Sequence, residues 1–364
     1  MKRNNRITLL LAISFTALFS LGGCSGEAEV SAPEEQAETT DSGQEGEVIQ
    51  YDRSDVAMGT VVSETIYTSG EDLTAQVMEL LGEVEREYIS WRKEESDVAA
   101  VNQNAGNEEG TWVDEDTALY LRQSLQLAET SGGAFDPTVG EITQLWDIDG
   151  ENPKVPDEEE LKTLLTHVGY EKVRLEDNRV ILEQDTSIDL GAVGKGIGCD
   201  EAAQLLKGDQ NLKGAVVSVG GSILVLGTKP DQSPWKVAVT DPRDDTAYLG
   251  VLTLSGEHYV STSGDYEKYF IQDGVRYHHI MDPATGYPSR SGLISVTVLG
   301  DNGLDCDGLS TACFVLGLEK GMQLLEAYGA EGVFVDEEQN VYLTDGMEEY
   351  FTLTGEGYQV QETS

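Results

Sequence analysis

The chain has 364 residues and carries 67 acidic against 23 basic side chains, a formal net charge of −44. A surface of that sign repels phosphate backbones and anionic headgroups, which excludes nucleic acid as a partner. At 39% hydrophobic residues there is enough chain for a real core, as two average domains or one large one with tails.

Lys2, Arg3 and Arg6 form a basic region ahead of an apolar run from Ile7 to Leu21. The run is too short for a comfortable membrane span and reads as a signal peptide over residues 1–23. Leu21-Gly22-Gly23-Cys24 resembles a bacterial lipobox, which implies a lipidated Cys24 as the mature N-terminus. An ordinary signal peptide followed by an unrelated Cys is the alternative. The expected location is the cell membrane, lipid-anchored and facing outside the cytoplasm. Residues 24–50 are rich in Glu, Ser, Thr, Ala and Gly, too polar to fold, and predict a disordered tether. The folded body is expected over 51–360. The remaining cysteines, Cys199, Cys306 and Cys313, are odd in number and sit beside small or apolar residues, so they read as core residues. A Cys306–Cys313 bridge stays open as an alternative.

Periodic structure is expected from near Asp55. Met58 to Tyr67 reads as a strand, and Leu73 to Tyr88 has apolar residues at helical spacing. Helices follow over Thr117–Glu129, opened by Asp114 or Asp116, and over Asp157–His167. Asp177-Asn178 between two short β-prone runs suits a hairpin. A glycine-rich turn leads to a helix near Gly198–Leu206. Strands are then expected at 215–219, 223–226, 235–239, 251–254 and 293–299, with helices at 308–316 and 318–328. Mixed helices and hairpin-linked strands argue an α+β body and not a regular parallel alternation.

Five segments are dense in Gly, Asp, Ser or Thr where the chain turns. In Ser131 to Gly140, two glycines and Asp136-Pro137 follow a helix; a C-cap and turn explain them alone. In Ile188 to Gly196, glycines and Lys195 precede a helix, which is equipment for a phosphate or pyrophosphate. The spacing fits neither a Walker loop nor a dinucleotide fingerprint. Ser218 to Ser222 and Ser261 to Tyr266 read as a bulge and a polar turn. Finally, His278 to Gly286 is followed by Asp307 and Thr311, four apart at a predicted helix start and so on one face. Hard oxygen donors without Cys or His suit Mg²⁺. A helix-start Asp and a packed Thr explain the same residues without a metal.

Together these segments resemble the ApbE family of FAD:protein FMN transferases, over about residues 55 to 350. The resemblance rests on Met58-Gly59-Thr60, Ser90-Trp91-Arg92, Gly133 to Gly140, Asp189 to Gly196, His279 to Gly286, and Asp307 with Ser310-Thr311. It implies a single body of helices and antiparallel sheets. It implies that Met58, Arg92, Ala134, Phe135, Asp136, Asp189, Lys195 and Met281 contact FAD. It further implies that the Ala192 carbonyl, Asp307, Ser310 and Thr311 hold Mg²⁺, and that His279 lies near the pyrophosphate as the base, with Asp282 as the alternative. Many members have Tyr at the position of Arg92, and some have Asp at that of Ser310. The expected partner is an exported protein of an electron-transfer complex that accepts FMN on Ser or Thr. A metal-dependent FAD pyrophosphatase and a non-catalytic FAD-binding lipoprotein are the competing readings.

Overall fold

The computed structural model describes residues 46–361. The signal peptide, Cys24 and most of the expected tether lie outside the described residues. The body begins earlier than its sequence suggests. Ile49–Ala57 forms strand β1, which pairs along its whole length with β2 at Thr60–Thr68. Met58 and Gly59 are the turn between them, at φ of 52° and 69°. Two central residues at positive φ match the right-handed twist of the strands they join. Met58 therefore sits in a turn and does not start a strand.

In chain order there follow α1 (Thr74–Glu83), α2 (Asp97–Gln103), β3 (Thr111–Trp112), α3 (Glu115–Thr130), α4 (Gly140–Trp146), α5 (Glu158–Leu165), β4 (Val173–Glu176), β5 (Arg179–Leu182) and α6 (Gly194–Lys207). Next come β6 (Leu212–Val219), β7 (Ser222–Gly227), β8 (Trp235–Asp241), β9 (Asp244–Leu254), β10 (His258–Gly264), β11 (Tyr269–Gln272), β12 (Val275–His278) and β13 (Leu293–Gly300). The chain closes with α7 (Gly303–Leu316), α8 (Leu318–Tyr328), β14 (Glu331–Asp336), β15 (Asn340–Leu343), β16 (Phe351–Leu353) and β17 (Gln359–Gln361). The predicted α3 and α5 carry the caps their sequences signal: Asp114 and Asp157 each accept a backbone N–H of the first turn.

Among the described residues nine strands form the central sheet, in the order β1-β2-β6-β7-β10-β13-β14-β15-β17, antiparallel except for the last pair. Helices α1, α3, α6, α7 and α8 cover one face through a core that includes Val62, Ile66, Leu81, Leu127, Ile197 and Phe334. The small sheet β16-β9-β8 covers the other through Trp235, Val237, Leu252 and Phe351. Strand β13 is buried on both faces, which is why its sequence is an unbroken apolar-rich run. Cys199, Cys306 and Cys313 are buried free thiols, as their apolar settings suggest. Among the described residues, no helix is long and apolar enough to cross a membrane.

Three boundaries bear on the site. Helix α6 starts at Gly194, so the end of the glycine motif, Gly194 to Gly196, is its first turn, while Asp189 to Val193 form the turn ahead of it. Helix α7 starts at Gly303, capped by Asn302, which places Asp307 a full turn inside the helix instead of at its start. Ser261 to Gly264, read as a polar turn, belongs to β10 in the middle of the sheet. Its hydroxyls meet partners on β13 and α7, so polarity there marks a buried network and not solvent.

Candidate active site

The first turn of α6 lies across α7, backbone against backbone. A Cβ on Gly196 would come within 2.1 Å of the Gly303 carbonyl oxygen, and one on Gly303 within 2.3 Å of that of Gly196. Gly194 and Gly198 face Ile89, Leu81 and Met58 in the same close manner. The motif glycines thus serve helix packing, with the Met58 side chain seated over Gly198.

That contact delivers donors to Asp307, which is 2% exposed. Its Oδ2 accepts the Gly196 N–H at 2.9 Å and its Oδ1 the Ser222 hydroxyl at 2.9 Å. The Lys195 ammonium lies 3.4 Å from Oδ1. Burial opposes the charge on Lys195, but Asp307 and Glu267 outweigh it and hold its pKa above the usual lysine value. Asp307 and Thr311 share one face of α7, as their spacing requires. Ser263 on β10 joins the face from the sheet, its hydroxyl 2.8 Å from that of Ser310 and 3.3 Å from that of Thr311.

A regular helix would direct the Gly196 N–H to the Ala192 carbonyl; here it goes to Asp307. Among the described residues no donor reaches the Ala192 oxygen. Nor do three or more His, Cys, Asp or Glu cluster as a metal site there. A cation at this place would rely on one carboxylate, two hydroxyls and a free carbonyl. That all-oxygen set fits Mg²⁺, which keeps waters and takes phosphate oxygens to complete its shell.

Around this floor stands a rim of loops. Asp189 accepts the Gly191 N–H at 2.8 Å. Burial raises its pKa against the pull of that bond and of Arg92. The buried indole N–H of Trp91 points toward the Asp189 carboxylate and helps hold its pKa down, although among the described residues it makes no hydrogen bond of full geometry. Arg92 stacks 4.1 Å over the Trp91 ring and reaches Asp149 at 3.5 Å; Lys268 reaches the same carboxylate at 3.2 Å. Burial works to raise the Asp149 pKa, but the two cations win and hold it below the usual range. Three separate loops are thereby tied together across the rim.

His278 and His279 part company. His278 is buried, one ring nitrogen on the Ser289 carbonyl and the other accepting the Ile280 N–H. Burial brings its pKa down to about 4, so it is a neutral structural residue. His279 is partly open, with Nδ1 3.3 Å from the Lys268 carbonyl. That bond assigns the proton to Nδ1 and leaves Nε2 as an acceptor. Burial first, then Lys268, Lys195 and His278, lower its pKa to about 3. Asp282 spends its carboxylate on its own turn, accepting from Ala284 N–H and the Thr285 hydroxyl. Asp136 likewise holds Thr138 and the Tyr170 N–H. Ala134 and Phe135 are buried in that loop, pinned by Ser131. Met281 packs in a satellite core with Ile142, Trp146 and Leu161. The Trp146 indole closes on the Gly286 carbonyl at 2.8 Å, anchoring the loop that carries His279.

Asp189, Lys195, Glu267 and His279 share a signature. Each keeps contact with solvent, yet burial is the leading influence on its pKa. Groups that are reachable but densely surrounded line a cleft. Two hollows of about 480 and 340 Å³ beside α4, lined by Glu141 and Gln144 among others, contain none of these residues. The ionisable chemistry that makes these residues the candidate site lies apart from those hollows. Ser222, Ser263 and Glu267 were not singled out as site residues by sequence; their signal was hydroxyls and a carboxylate flanking the Gly220-Gly221 and Gly264-Asp265 segments.

An α+β body in which Asp307, Lys195 and several hydroxyls gather at a helix crossing has the chemistry to receive a phosphate-bearing ligand. The chain belongs to the ApbE family, whose model matches residues 58–334. It is 34% identical to the FAD:protein FMN transferase of Treponema pallidum, over 94% of each chain. It is also 34% identical to that of Vibrio cholerae, over 76% of this chain and 82% of the relative. The crystal structure of the ApbE protein from Thermotoga maritima superposes with a TM-score of 0.78 at 34% identity, covering 83% of this chain and 99% of that one. The flavin transferase ApbE from Vibrio cholerae does so with a TM-score of 0.73 at 28% identity, covering 84% and 100%.

Proposed function

We propose that this protein is a Mg²⁺-dependent FAD:protein FMN transferase. It cleaves the pyrophosphate of FAD, attaches FMN through a phosphoester to a Ser or Thr of an exported electron-transfer protein, and releases AMP. The observation that carries this reading is the α6–α7 crossing, where Asp307 meets Lys195 and takes the Gly196 N–H that a regular helix would direct to the Ala192 carbonyl, in a chain of this family. Asp307, Thr311, the Ala192 carbonyl and Ser310 would hold Mg²⁺, which when bound supplies neutralising charge to the phosphates.

The chain's own residues do the rest. Lys195 presents a fixed positive charge to the leaving phosphate. Asp189, Arg92 and the Trp91 indole orient the flavin half, with Met58, Ala134, Phe135, Asp136 and Met281 shaping its walls. His279, neutral and with Nε2 open, sits beside the pyrophosphate and accepts a hydrogen bond from the incoming hydroxyl. Asp282 holds the turn that follows. Selection of a protein hydroxyl over water requires the acceptor's loop to dock and place its oxygen in line with phosphorus. The lipobox at Cys24 supports anchorage at the outer face of the cell membrane, where exported redox proteins are within reach.

The test is the mass of candidate acceptors after incubation with this protein, FAD and Mg²⁺. A gain of one FMN on a single Ser or Thr supports the reading. AMP and free FMN accumulating while every acceptor stays unmodified supports the pyrophosphatase reading instead.

A further inference from the structure

We propose that the outer edge of the β11–β12 hairpin docks the acceptor protein by taking one of its extended segments as an added strand, an inference that rests on the transferase reading above. The hairpin is a two-stranded sheet of its own, closed by Asp273 and Gly274 at φ of 53° and 79°. One of its faces is used by the fold: Phe270 and Tyr277 stack with ring centres 5.3 Å apart and lie against Trp146. The other face carries Tyr269 and Ile271, 41% and 62% exposed, with the Arg276 guanidinium 4.3 Å over the Tyr269 ring.

The two edges of the hairpin differ. The His279 N–H donates to the Lys268 carbonyl at 3.1 Å. Hydrogen-bonded rungs recur at every second residue, so Phe270–Tyr277 and Gln272–Val275 are the next two. Tyr269 and Ile271 on one strand, and Arg276 and His278 on the other, therefore turn their backbone N–H and C=O groups outward. On the β12 side the Arg290 guanidinium already takes the Arg276 carbonyl, at 2.6 Å. On the β11 side, among the described residues, the outward groups of Tyr269 and Ile271 have no partner. An open edge beside exposed apolar side chains suits an extended segment: backbone bonds give affinity and alternate side chains give fit.

The position of this edge names the occupant. Strand β11 begins directly after Lys268, whose carbonyl holds His279 and whose ammonium meets Asp149, the partner of Arg92, on the rim. A segment paired to Ile271 and Tyr269 reaches the cleft within about three residues, at ~3.3 Å each. That is the docked loop which in-line attack on phosphorus requires. Charge agrees with the position. Residues 268–290 hold Lys268, Arg276 and Arg290 against Asp273 and Asp282, in a chain of net charge −44. An acidic segment that the rest of this surface repels meets a slight positive balance here. The fitting partner is thus an extended, mildly acidic segment, apolar at alternate positions, that leads to the Ser or Thr to be modified.

The probe is the exported protein that gains one FMN in the assay above, titrated at saturating FAD and Mg²⁺. Ile271→Pro removes an outward N–H and leaves the β11–β12 rungs intact. Ile271→Asp keeps that N–H and removes the apolar contact. Each variant should raise the acceptor KM about 10-fold or more, with kcat at saturating acceptor, FAD affinity and the thermal midpoint unchanged. Amide exchange at Tyr269 and Ile271 should slow when the acceptor is added to wild type. An unchanged acceptor KM in both variants overturns the proposal, as do amides that stay unprotected, or a kcat that falls while KM stays. If Ile271→Pro does not fold, Ile271→Asp carries the test alone, and its unchanged KM overturns the proposal equally. A concentration-dependent dimer of wild type that Ile271→Asp abolishes would put a second copy of this chain on the edge, which also overturns it. If AMP accumulates while no exported protein gains FMN, the transferase reading itself falls and takes this docking with it, a failure seen before any variant is made.

Discussion

Two carboxylates lie at nearly the same depth in this molecule and do opposite things. Asp307 on α7 and Glu64 on β2 are 2% and 3% exposed. Asp307 is met by a backbone N–H, a hydroxyl and an ammonium. Among the described residues Glu64 is met by no donor: both its oxygens lack a hydrogen-bond partner. Burial therefore raises the Glu64 pKa to about 8, opposed by Arg53 across the β1–β2 ladder and assisted by the negative charge of Asp72. A buried acid is a charge only where the fold has built partners for it. Depth alone marks neither of these residues as functional; the donor set does.

The comparison can be broken at either end. The largest effect is expected from Asp307→Asn, which keeps the shape and removes the charge. Metal-stimulated AMP release should fall about 100- to 1,000-fold, with the fold retained by circular dichroism. Full activity in this variant, or in excess chelator, would remove Asp307 from the metal site. Next comes Gly196→Ala, which forces a methyl into the Gly303 carbonyl and moves the N–H that Asp307 accepts. Urea unfolding should show a loss of about 3 kcal/mol; an unchanged midpoint would mean the helices do not cross this closely.

Glu64→Gln tests the other carboxylate. The unfolded acid ionises near 4.5 and the folded one near 8, so wild-type stability falls as pH rises through that window and levels off above it. The variant should match wild type at pH 4 and exceed it by about 3 kcal/mol at pH 7. Parallel stability curves from pH 4 to 8 would show that Glu64 keeps its ordinary pKa. The smallest effect belongs to Asp149→Asn on the rim. Its partners are half-exposed and screened, so stability should change by less than about 1 kcal/mol. FAD should bind about two- to five-fold more weakly as the loops that Asp149 ties together loosen; an unchanged affinity would free the rim from any part in binding.

Sequence alone reached the α+β body and the caps of α3 and α5, because Asp114 and Asp157 act within one turn of themselves. It reached Asp307 with Thr311, because helical spacing is local. It missed β10, because Ser261 and Ser263 are buried by α7, which lies some 50 residues further on. It could not foresee the second neighbour of Gly196, the backbone of Gly303, because that contact spans more than 100 residues of sequence. Glu64 passed unnoticed in an acidic chain, since nothing in its local sequence tells a buried strand position from a solvated one.

Among the described residues the central sheet also has two open ends, and their design has a consequence for how the protein behaves at high concentration. Strand β1 is long and largely exposed, yet it carries Asp52, Arg53 and Asp55 along its length. At the far end β17 has only three residues. Charges on one margin and brevity on the other leave no flat apolar template for a second chain to extend. A nine-stranded sheet of this kind would otherwise invite fibrils; here the ladder of backbone bonds ends within a single molecule, and crowding such molecules together need not make them stick.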